Sequence, residues 1–348
     1  MGKTDRISMP RRGLSRRNLL AAGAGALAAG ALPGRFAFAD LDRVTLRTNW
    51  LFYGSHSVFF LGIDSGLYAK DKLDVVVKQG NGSGNTVRLI ANKDTDFGYC
   101  SAVTMMKLAA QGAPVVSVAT IDATGTDAVI INPDSGIKSF KDLEGKKVLT
   151  TAGAGVNTLF PVAAANAGAD VSKIQLTNVA ESALVQSYLQ GLAPAMLGGI
   201  DDKPAEIEAN GGKPPVTLNY ADFGIYQPGY AIVAHQDMVK EKPDLVKRFV
   251  HATLEAVKSA KENPDAAIKA LISWKANTED EKEKKQARQV LDVTLSILYS
   301  ANNKEKQLGL NVPADWQSAL DILKKYTELK TDKTADQFYT NAFIPASL

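Results

Sequence analysis

The sequence predicts an α/β protein built from two lobes, and three observations support this prediction. Strand-like and helix-like segments alternate from residue 44 onward, which is typical of parallel sheets covered by helices. After an apolar run at 128–132 a second series of the same kind begins, which indicates a second sheet. Beyond another apolar run at 229–234, long amphipathic segments replace the strands. A chain of 348 residues is long enough to bury both cores.

The first series combines Val- and Ile-rich strands with segments that carry apolar residues at helical spacing. Gly66 stops its first helix, and the Gly-rich turn at 80–84 precedes its second. The predicted strands cover 44–48, 74–78, 96–99 and 115–121, and the predicted helices cover 57–67, 87–91 and 102–110.

The second series repeats this pattern, with Gly168 and Gly191 ending two of its helices. Its predicted strands cover 148–150, 174–176 and 195–197, and its helices cover 157–167, 182–190 and 204–209. The C-terminal helices are predicted at 243–261, 264–274, 278–298 and 314–326, packed on the outside of a finished sheet. We interpret the Glu/Lys run at 279–285 as a solvated helix face rather than a binding tail.

The charge distribution separates the N-terminal segment from the rest. Residues 1–39 contain seven Lys or Arg and one acidic residue, whereas the remainder contains 33 basic and 36 acidic residues, a net charge of −3. A surface of this kind gives no electrostatic support to binding of nucleic acid or anionic membranes.

The basic N-terminal segment has the features of an export signal. The letters S-R-R-N-L-L at 15–20 are typical of a twin-arginine signal, an apolar run follows at 19–32, and A-F-A at 37–39 is a cleavage site. A retained membrane anchor is the alternative, but the run is short and rich in small residues. We therefore expect residues 1–39 to be removed and the protein to work in the periplasm.

Cysteine and histidine usage argues against metal and disulfide chemistry. Cys100 is the single cysteine, so no disulfide framework or cysteine cage is possible. The three histidines, His56, His235 and His251, are far apart in the chain and form no zinc-binding pair. We expect neither a metal nor a cofactor.

The loop after the first strand is the first candidate for ligand contact. Trp50, Phe52 and Tyr53 lie within four residues of one another in a turn, and His56 follows at the start of a helix. Loops beyond the carboxyl ends of strands are where open α/β sheets bind ligands. These aromatic side chains are therefore expected to stack on a planar ligand, although one of them could instead close the core. His56 could either orient that ligand or bond its own backbone.

Two Gly/polar turns, one in each series, precede helices and form the second candidate. The first contains Ser83, Gly84 and Asn85, and the second contains Gly153, Gly155 and Asn157. Helix starts of this kind present free N–H groups to a polar or anionic ligand, although each could also be a simple turn with a cap. One such turn from each lobe is what a ligand held in a cleft between the lobes would require.

Acidic residues at predicted strand ends complete the candidates from sequence alone. They are Asp122, Asp127, Asp201, Asp202 and Asp222. Each could be a turn or cap residue. Because Lys and Arg are rare at these positions, a ligand with amino or hydroxyl donors fits better than a dianion. No nucleophile with an adjacent base is present, so we assign no catalytic residue.

At these residues the chain resembles the substrate-binding proteins of ABC importers in the nitrate/sulfonate/taurine and NMT1/THI5-like (thiamine-precursor) family. The resembling segments occur in the same order through most of the chain. They are N-W-L-F-Y-G-S-H at 49–56, G-L-Y-A-K-D-K-L-D-V at 66–75, G-S-G-N-T-V at 82–87, D-F-G-Y at 96–99, G-I-K-S-F-K-D-L-E-G-K-K-V at 136–148 and K-P-D-L-V-K-R-F-V at 242–250.

The resemblance implies the type II periplasmic-binding-protein fold, with two α/β lobes joined by two crossing strands. It implies a first lobe at 40–128 plus 229–348, a second at 129–228, and crossings at 128–132 and 229–234. The implied third ligand loop spans 99–102. The ligand contacts that we predict are Trp50, Tyr53, His56, Ser83, Gly84, Asn85, Tyr99, Cys100, Ser101, Asp122, Gly153, Gly155, Asn157 and Asp201.

The function implied is a non-catalytic, monomeric receptor that presents a small molecule to the membrane permease of an ABC importer. We favour a planar heteroaromatic ligand of the thiamine-pyrimidine kind, with sulfonate, taurine or nitrate as the alternative. A THI5-like pyrimidine synthase is the alternative of another class. In those enzymes a lysine, a histidine and a cysteine cluster act near the third loop. Here the matching positions hold Cys100 and Thr104 and the cluster is absent, which argues against synthesis.

Overall fold

Ten strands form two five-stranded sheets in the computed structural model, which describes residues 41–348 except 153, 276–279, 305 and 328. The predicted export signal lies outside the described residues. In chain order the strands are β1 (Asp42–Arg47), β2 (Leu73–Lys78), β3 (Phe97–Ser101), β4 (Val115–Thr120), β5 (Asp127–Ile131), β6 (Lys147–Thr150), β7 (Gln175–Asn178), β8 (Ala195–Gly199), β9 (Val216–Asn219) and β10 (Tyr230–His235).

The first sheet has the order β2-β1-β3-β10-β4 and the second has the order β7-β6-β8-β5-β9. The alternation of strands and helices predicted parallel sheets, but each sheet also contains an antiparallel strand. In the first sheet β10 runs antiparallel to β3 and β4, and in the second β5 runs antiparallel to β8 and β9. Each reversed strand is the one that enters its sheet directly from the other sheet, without the helical crossover that parallel neighbours need.

The chain passes between the sheets at 121–126 and again at 220–229. The apolar runs predicted as crossings instead form β5 and β10. Each is an inner strand of its sheet, and its side chains are buried on both faces. The two crossing segments bond to each other: the Gly125 N–H donates to the Gln227 carbonyl at 2.9 Å, and the Gly229 N–H donates to the Asp122 carbonyl at 2.8 Å. A Cβ at Gly229 would lie 2.5 Å from the Thr124 carbonyl oxygen, so this close pairing requires glycine.

Twelve helices of α type occur among the described residues. Those between the strands are α1 (Ser57–Asp64), α2 (Leu67–Lys70), α3 (Ser83–Ala91), α4 (Ala102–Ala110), α5 (Val156–Asn166), α6 (Leu184–Leu189) and α7 (Lys203–Ala209). The predicted helix 57–67 ends earlier, because Gly66 adopts a left-handed φ of 71° and separates α1 from α2. The four predicted C-terminal helices are present as α9 (Pro243–Glu262), α10 (Pro264–Trp274), α11 (Glu281–Ser296) and α12 (Pro313–Tyr326), and a short helix that was not predicted, α8 (Gln236–Glu241), precedes them.

Each sheet is buried on both faces by separate apolar clusters. In the first sheet, Phe97 stacks on Phe249 of α9 with ring centroids 3.9 Å apart. Truncation of a buried aromatic such as Phe249 to alanine costs about 3–5 kcal/mol in proteins of this kind. This packing fixes the strand ends from which the loops described below project.

Within the described residues, no helix is both long and apolar enough to cross a membrane.

Candidate ligand-binding cleft

A cavity of about 660 Å³ opens between loops of the first sheet, loops of the second sheet and helix α11. The first sheet contributes Asn49, Trp50, Tyr53, Gly54, Gly82, Ser83 and Tyr230; the second contributes Ser182, Asp201, Asp202, Lys203 and Glu206; and the C-terminal helices contribute Lys275, Glu283, Gln286, Ala287 and Val290. A space of this size suits a small organic molecule.

The aromatic loop after β1 forms one wall. Trp50 exposes 51% of its surface and lines the cavity, which argues against its closing the core. The loop is tied to its neighbour because the Gly80 N–H donates to the Trp50 carbonyl at 3.0 Å and the Gly82 N–H donates to the Asn49 carbonyl at 2.7 Å. Phe52 instead packs edge-on against Phe60 at 4.8 Å, on the core side. The loop therefore holds one aromatic in the core and presents another to the cavity.

A buried polar chain orients Tyr53 within that wall. His56 is fully buried, and its Nε2 lies 2.7 Å from Asn49 Oδ1, while Asn49 Nδ2 donates to the Tyr53 hydroxyl at 3.4 Å. Burial lowers the pKa of His56 to about 3, so the imidazole is neutral and donates through Nε2 to the amide oxygen. Burial also raises the pKa of Tyr53, which keeps its hydroxyl protonated. His56 was predicted to contact the ligand, but it lies behind the wall and positions Asn49.

A second buried pair supports Tyr230, which the sequence analysis did not single out. Tyr230 stacks on Tyr99 with ring centroids 5.2 Å apart, and the Tyr99 hydroxyl donates to Asp122 Oδ2 at 3.0 Å. Burial raises the pKa of Asp122 to about 8, so this carboxyl is largely protonated at neutral pH. Tyr99 and Asp122 were predicted contacts; neither lines the cavity, and both lie beneath Tyr230.

A second wall is charged and is built where β8 leads into α7. Asp201 is buried, and that burial raises its pKa. The pKa of Asp202 is raised to about 7 because protein atoms crowd its carboxylate and because Asp201 lies beside it. The Lys203 ammonium lies 3.2 Å from Asp202 Oδ2 and 3.3 Å from Glu206 Oε2. This wall thus carries more carboxyl groups than ammonium groups.

Helix α11 forms the third wall, which the sequence analysis did not foresee. Its lining residues Glu283, Gln286, Ala287 and Val290 follow the spacing i, i+3, i+4 and i+7, so they form one stripe of the helix. Glu283 pairs with Lys275, which also lines the cavity. The interpretation of 279–285 as a solvated face is therefore wrong at Glu283, because tertiary packing turns this side chain toward the cavity.

Carboxylates outnumber lysines around the cavity. The side chains that line it include four carboxylates and two lysines, both of which are paired with carboxylates. Clefts lined by one sign of charge concentrate ligands of the opposite sign. The arrangement therefore suits a ligand that carries N–H, O–H or cationic groups, together with a flat face for Trp50 and Tyr53.

The remaining predicted contacts around α3 and β3 divide into two sets. Ser83 lines the cavity, and its Oγ accepts a bond from the Ser101 N–H at 3.0 Å. Gly84 and Asn85 continue into α3 and do not line it. Cys100 is fully buried in an apolar cluster, where burial raises the pKa of its thiol. It is an inert core residue here.

The predicted contacts from the second sheet are only partly brought to the cavity. Gly155 lines a separate cavity of about 170 Å³ beside the crossing segments, together with the predicted contact Ser101 from the end of β3 in the first sheet. Asn157 binds within its own loop, because it contacts Thr150 and donates to the Thr151 carbonyl at 2.8 Å. Gly153 lies outside the described residues. Asp201 is the predicted contact that reaches the cleft from this side.

Comparison with known proteins places these features in a family. The model described as "NMT1/THI5 like" matches residues 54–267. The chain is 22% identical over 308 residues to a formylaminopyrimidine-binding protein of Halalkalibacterium halodurans, a match that covers 86% of this chain and 90% of the relative. It is also 22% identical over 306 residues to a 4-amino-5-hydroxymethyl-2-methylpyrimidine phosphate synthase of Legionella pneumophila, with coverage of 87% and 93%.

Solved structures share the fold. The periplasmic aliphatic sulphonate binding protein SsuA of Escherichia coli superposes with a TM-score of 0.66 at 16% identity, covering 89% of this chain and 94% of that one. The type II periplasmic-binding-protein architecture is therefore the fold of this chain, as the sequence predicted.

Proposed function

The chain belongs to the NMT1/THI5-like family, and on this premise we propose that it is a non-catalytic receptor for a planar heteroaromatic molecule that carries amino or hydroxyl donors. The receptor binds this ligand in the cleft and delivers it to the membrane permease of an ABC importer. This ligand class includes the pyrimidines that appear in the names of two relatives.

The observation that carries this proposal is the pairing of unlike walls in one cavity. Trp50 and Tyr53 offer a flat apolar surface, and Asp201, Asp202 and Glu206 offer acceptors in the same cavity. A substituted aminopyrimidine has a π face for the first wall and N–H donors for the second. Neither wall alone would distinguish this ligand from an ordinary apolar molecule or an ordinary cation.

Closure of the two lobes lets the permease distinguish the ligand-bound receptor from the empty one. We assign the first lobe to 40–128 plus 229–348 and the second to 129–228, with the bonded segments at 121–126 and 220–229 as the hinge. A ligand that touches both walls only when the cleft is closed shifts the population toward the closed form. The permease then recognises the closed surface.

A sulfonate, taurine or nitrate is the alternative ligand within the same class of receptor. The start of α3, with Ser83 at the cavity, favours an anion because the first N–H groups of a helix have no partner within the helix. The four carboxyl groups that line the cavity outnumber its two lysines and oppose binding of an anion. The balance of charge therefore disfavours an anionic ligand.

Pyrimidine synthesis is the alternative of another class, since one relative is named as a synthase. The positions that match that chemistry hold Cys100, which is buried among apolar residues, and Thr104. An absorbance scan of the purified protein tests this alternative. Absorbance from bound pyridoxal phosphate, or formation of a pyrimidine product by the purified protein alone, would replace the receptor proposal with an enzymatic one.

Export by the twin-arginine route and a monomeric state complete the proposal. Conversion of Arg16 and Arg17 to lysine should leave the full-length protein in the cytoplasm, whereas the parent sequence should yield a periplasmic protein that begins near Asp40. Cell fractionation followed by intact mass measurement distinguishes these results. Light scattering of the periplasmic form should give the mass of one chain.

A thermal-shift screen tests the ligand class. A ligand that binds only the folded state raises Tm in proportion to the logarithm of its concentration. We expect 4-amino-5-hydroxymethyl-2-methylpyrimidine and formylaminopyrimidine to raise Tm, and taurine, alkanesulfonates and nitrate to leave it unchanged. Stabilisation by alkanesulfonates and not by pyrimidines would contradict the proposed ligand.

A further inference from the structure

The end of α10 and the start of α11 bring a charged pair to the cavity from outside both sheets. Lys275 and Glu283 form an ion pair, and both side chains line the cavity with about a quarter of their surface exposed, 25% and 27%. The neighbouring pair on the same helix is different, because Glu281 exposes 85% of its side chain and pairs with Lys284 on the solvent side. Glu283 and Glu281 have the same side chain, so their positions on the helix determine that Glu283 lies at the cavity and Glu281 in solvent.

The helix that carries Glu283 is held closely against the aromatic loop. A Cβ at Gly54 would lie 2.0 Å from the Ala287 carbonyl oxygen and 2.7 Å from Val290 Cβ, so only glycine allows this approach. At its N-terminus α11 is capped by Asp280, whose carboxylate accepts from the Lys282 N–H at 2.9 Å. Backbone packing therefore sets the distance of Glu283 from the wall that holds Trp50 and Tyr53.

Glu283 also shares the cavity with the charged groups at the start of α7. Asp202, Lys203 and Glu206 form a paired cluster there, and Lys285 of α11 reaches Glu208 of α7 at 3.6 Å. Contacts thus join α11 to both sides of the cleft. A ligand between these groups has an acceptor on the α11 side as well as on the α7 side.

We propose that Glu283 is a specificity-determining residue that selects ligands presenting an N–H or ammonium donor toward α11, and that Lys275 competes with the ligand for its carboxylate. This inference rests on the proposed function for the location of the ligand. A donor that meets a carboxylate forms a charge-assisted bond, which is stronger than a neutral one. The ligand must displace or share the Lys275 interaction to gain that bond.

The inference predicts effects of opposite sign at the two members of the pair. Glu283→Gln keeps the size of the side chain but removes its charge, and should weaken binding of 4-amino-5-hydroxymethyl-2-methylpyrimidine about 10-fold, which is about 1.4 kcal/mol. Lys275→Met removes a competitor and should strengthen binding about 2- to 5-fold. A pair with only a structural role would weaken binding by similar factors in both variants, or in neither.

Calorimetric titration of the full receptor measures these effects, with Glu281→Gln as the matched control on the solvent side of the same helix. The control should bind like the parent protein, and melting curves should show that all three variants fold. Unchanged binding in Glu283→Gln, or weakening of equal size in Lys275→Met, would overturn the inference.

The test separates this inference from the proposed function. If the parent protein binds taurine and not the pyrimidine, the proposed ligand fails, and the same variants are titrated with taurine, whose ammonium group is a donor. The opposite signs should then appear with taurine and be absent with methanesulfonate, which has no donor. Equal effects on the two sulfonates would overturn the role of Glu283 whichever ligand is native.

Discussion

The cleft is lined by two sets of residues that differ in chemistry, one from each sheet. On the first-sheet side, Trp50, Tyr53 and Tyr230 present rings, and the groups behind them are neutral, including the buried imidazole of His56. On the second-sheet side the lining is Asp201 and its charged neighbours at the start of α7. One wall is suited to stacking and the other to recognition of donors.

The two walls position a ligand in different ways. Backbone hydrogen bonds hold the aromatic loop, and the buried chain through Asn49 and His56 holds Tyr53. The charged wall carries carboxyls with raised pKa values, because Asp201 is buried and because Asp202 lies beside it, crowded by protein atoms. A ligand that satisfies both walls needs a flat face and a donor-bearing edge, which is the chemistry of an aminopyrimidine.

Loss of the charged wall should have the largest effect. Asp201→Asn removes the charge and replaces one carboxyl oxygen with an amide NH2 group that cannot accept from the ligand donors. We expect affinity for 4-amino-5-hydroxymethyl-2-methylpyrimidine to fall about 10- to 100-fold, since a hydrogen bond to a charged group contributes about 1.5–3 kcal/mol. Calorimetric titration measures this. Asp222→Asn, at an exposed turn beside the second sheet, is the control and should bind normally. Equal affinity in Asp201→Asn and the parent would remove the charged wall from ligand recognition.

Loss of the aromatic wall should have the next largest effect. Trp50→Ala removes a stacking surface worth about 1–2 kcal/mol, so affinity should fall about 10-fold. Trp50→Phe should restore most of it, because a ring remains. Trp274→Phe, which alters a half-exposed tryptophan outside the cavity lining, should have no effect. If Trp50→Ala bound the ligand as well as the parent, stacking would not be its role.

A smaller effect should follow from loosening the aromatic wall without removing a ring. Asn49→Ala breaks the connection between His56 and Tyr53 and leaves buried His56 Nε2 without its partner, at a cost of about 1–3 kcal/mol of unfolding free energy. We expect a lower Tm and a roughly threefold loss of affinity. Melting curves and titrations on the same sample check both. An unchanged Tm would show that the buried chain does not hold the loop.

The smallest expected effect concerns the pH dependence of stability. The pKa of Asp122 is near its ordinary value when unfolded and about 8 when folded, so the folded state binds more protons between about pH 4 and pH 8. Its contribution to stability is therefore complete below about pH 4 and declines as the pH rises to about 8. Asp122→Asn keeps an acceptor for the Tyr99 hydroxyl and should lessen this decline, which raises its Tm relative to the parent by a few degrees more at pH 8.5 than at pH 5. A Tm difference that does not change with pH would contradict the buried, protonated state.

The sequence predicted the cleft residues that follow strands directly. Trp50, Tyr53, Ser83 and Asp201 line the cavity because loops at the carboxyl ends of strands meet at one edge of a sheet. His56, Tyr99 and Asp122 were predicted to contact the ligand, but they are buried behind the residues that line the cavity. Their side chains point into the protein, and the direction of a side chain depends on register that composition alone does not fix.

The residues that the sequence analysis missed depend on distant packing. Glu283 reaches the cavity because α11 rests on Gly54, and no local pattern in either segment specifies that contact. Tyr230 begins an apolar run and resembled a core residue, but it is the position at which β10 leaves the crossing segment. The Glu/Lys composition of 279–285 is equally consistent with solvent and with a polar cavity, and the tertiary structure distinguishes the two.

The recognition of a flat, donor-bearing ligand is tested by calorimetric titration of the purified receptor with 4-amino-5-hydroxymethyl-2-methylpyrimidine and with taurine, in the parent and in Asp201→Asn. We predict saturable binding of one pyrimidine per chain, binding about 10- to 100-fold weaker in the variant, and no binding of taurine. Binding of taurine alone, unaffected by Asp201→Asn, would contradict the account of a cleft that recognises a flat, donor-bearing ligand.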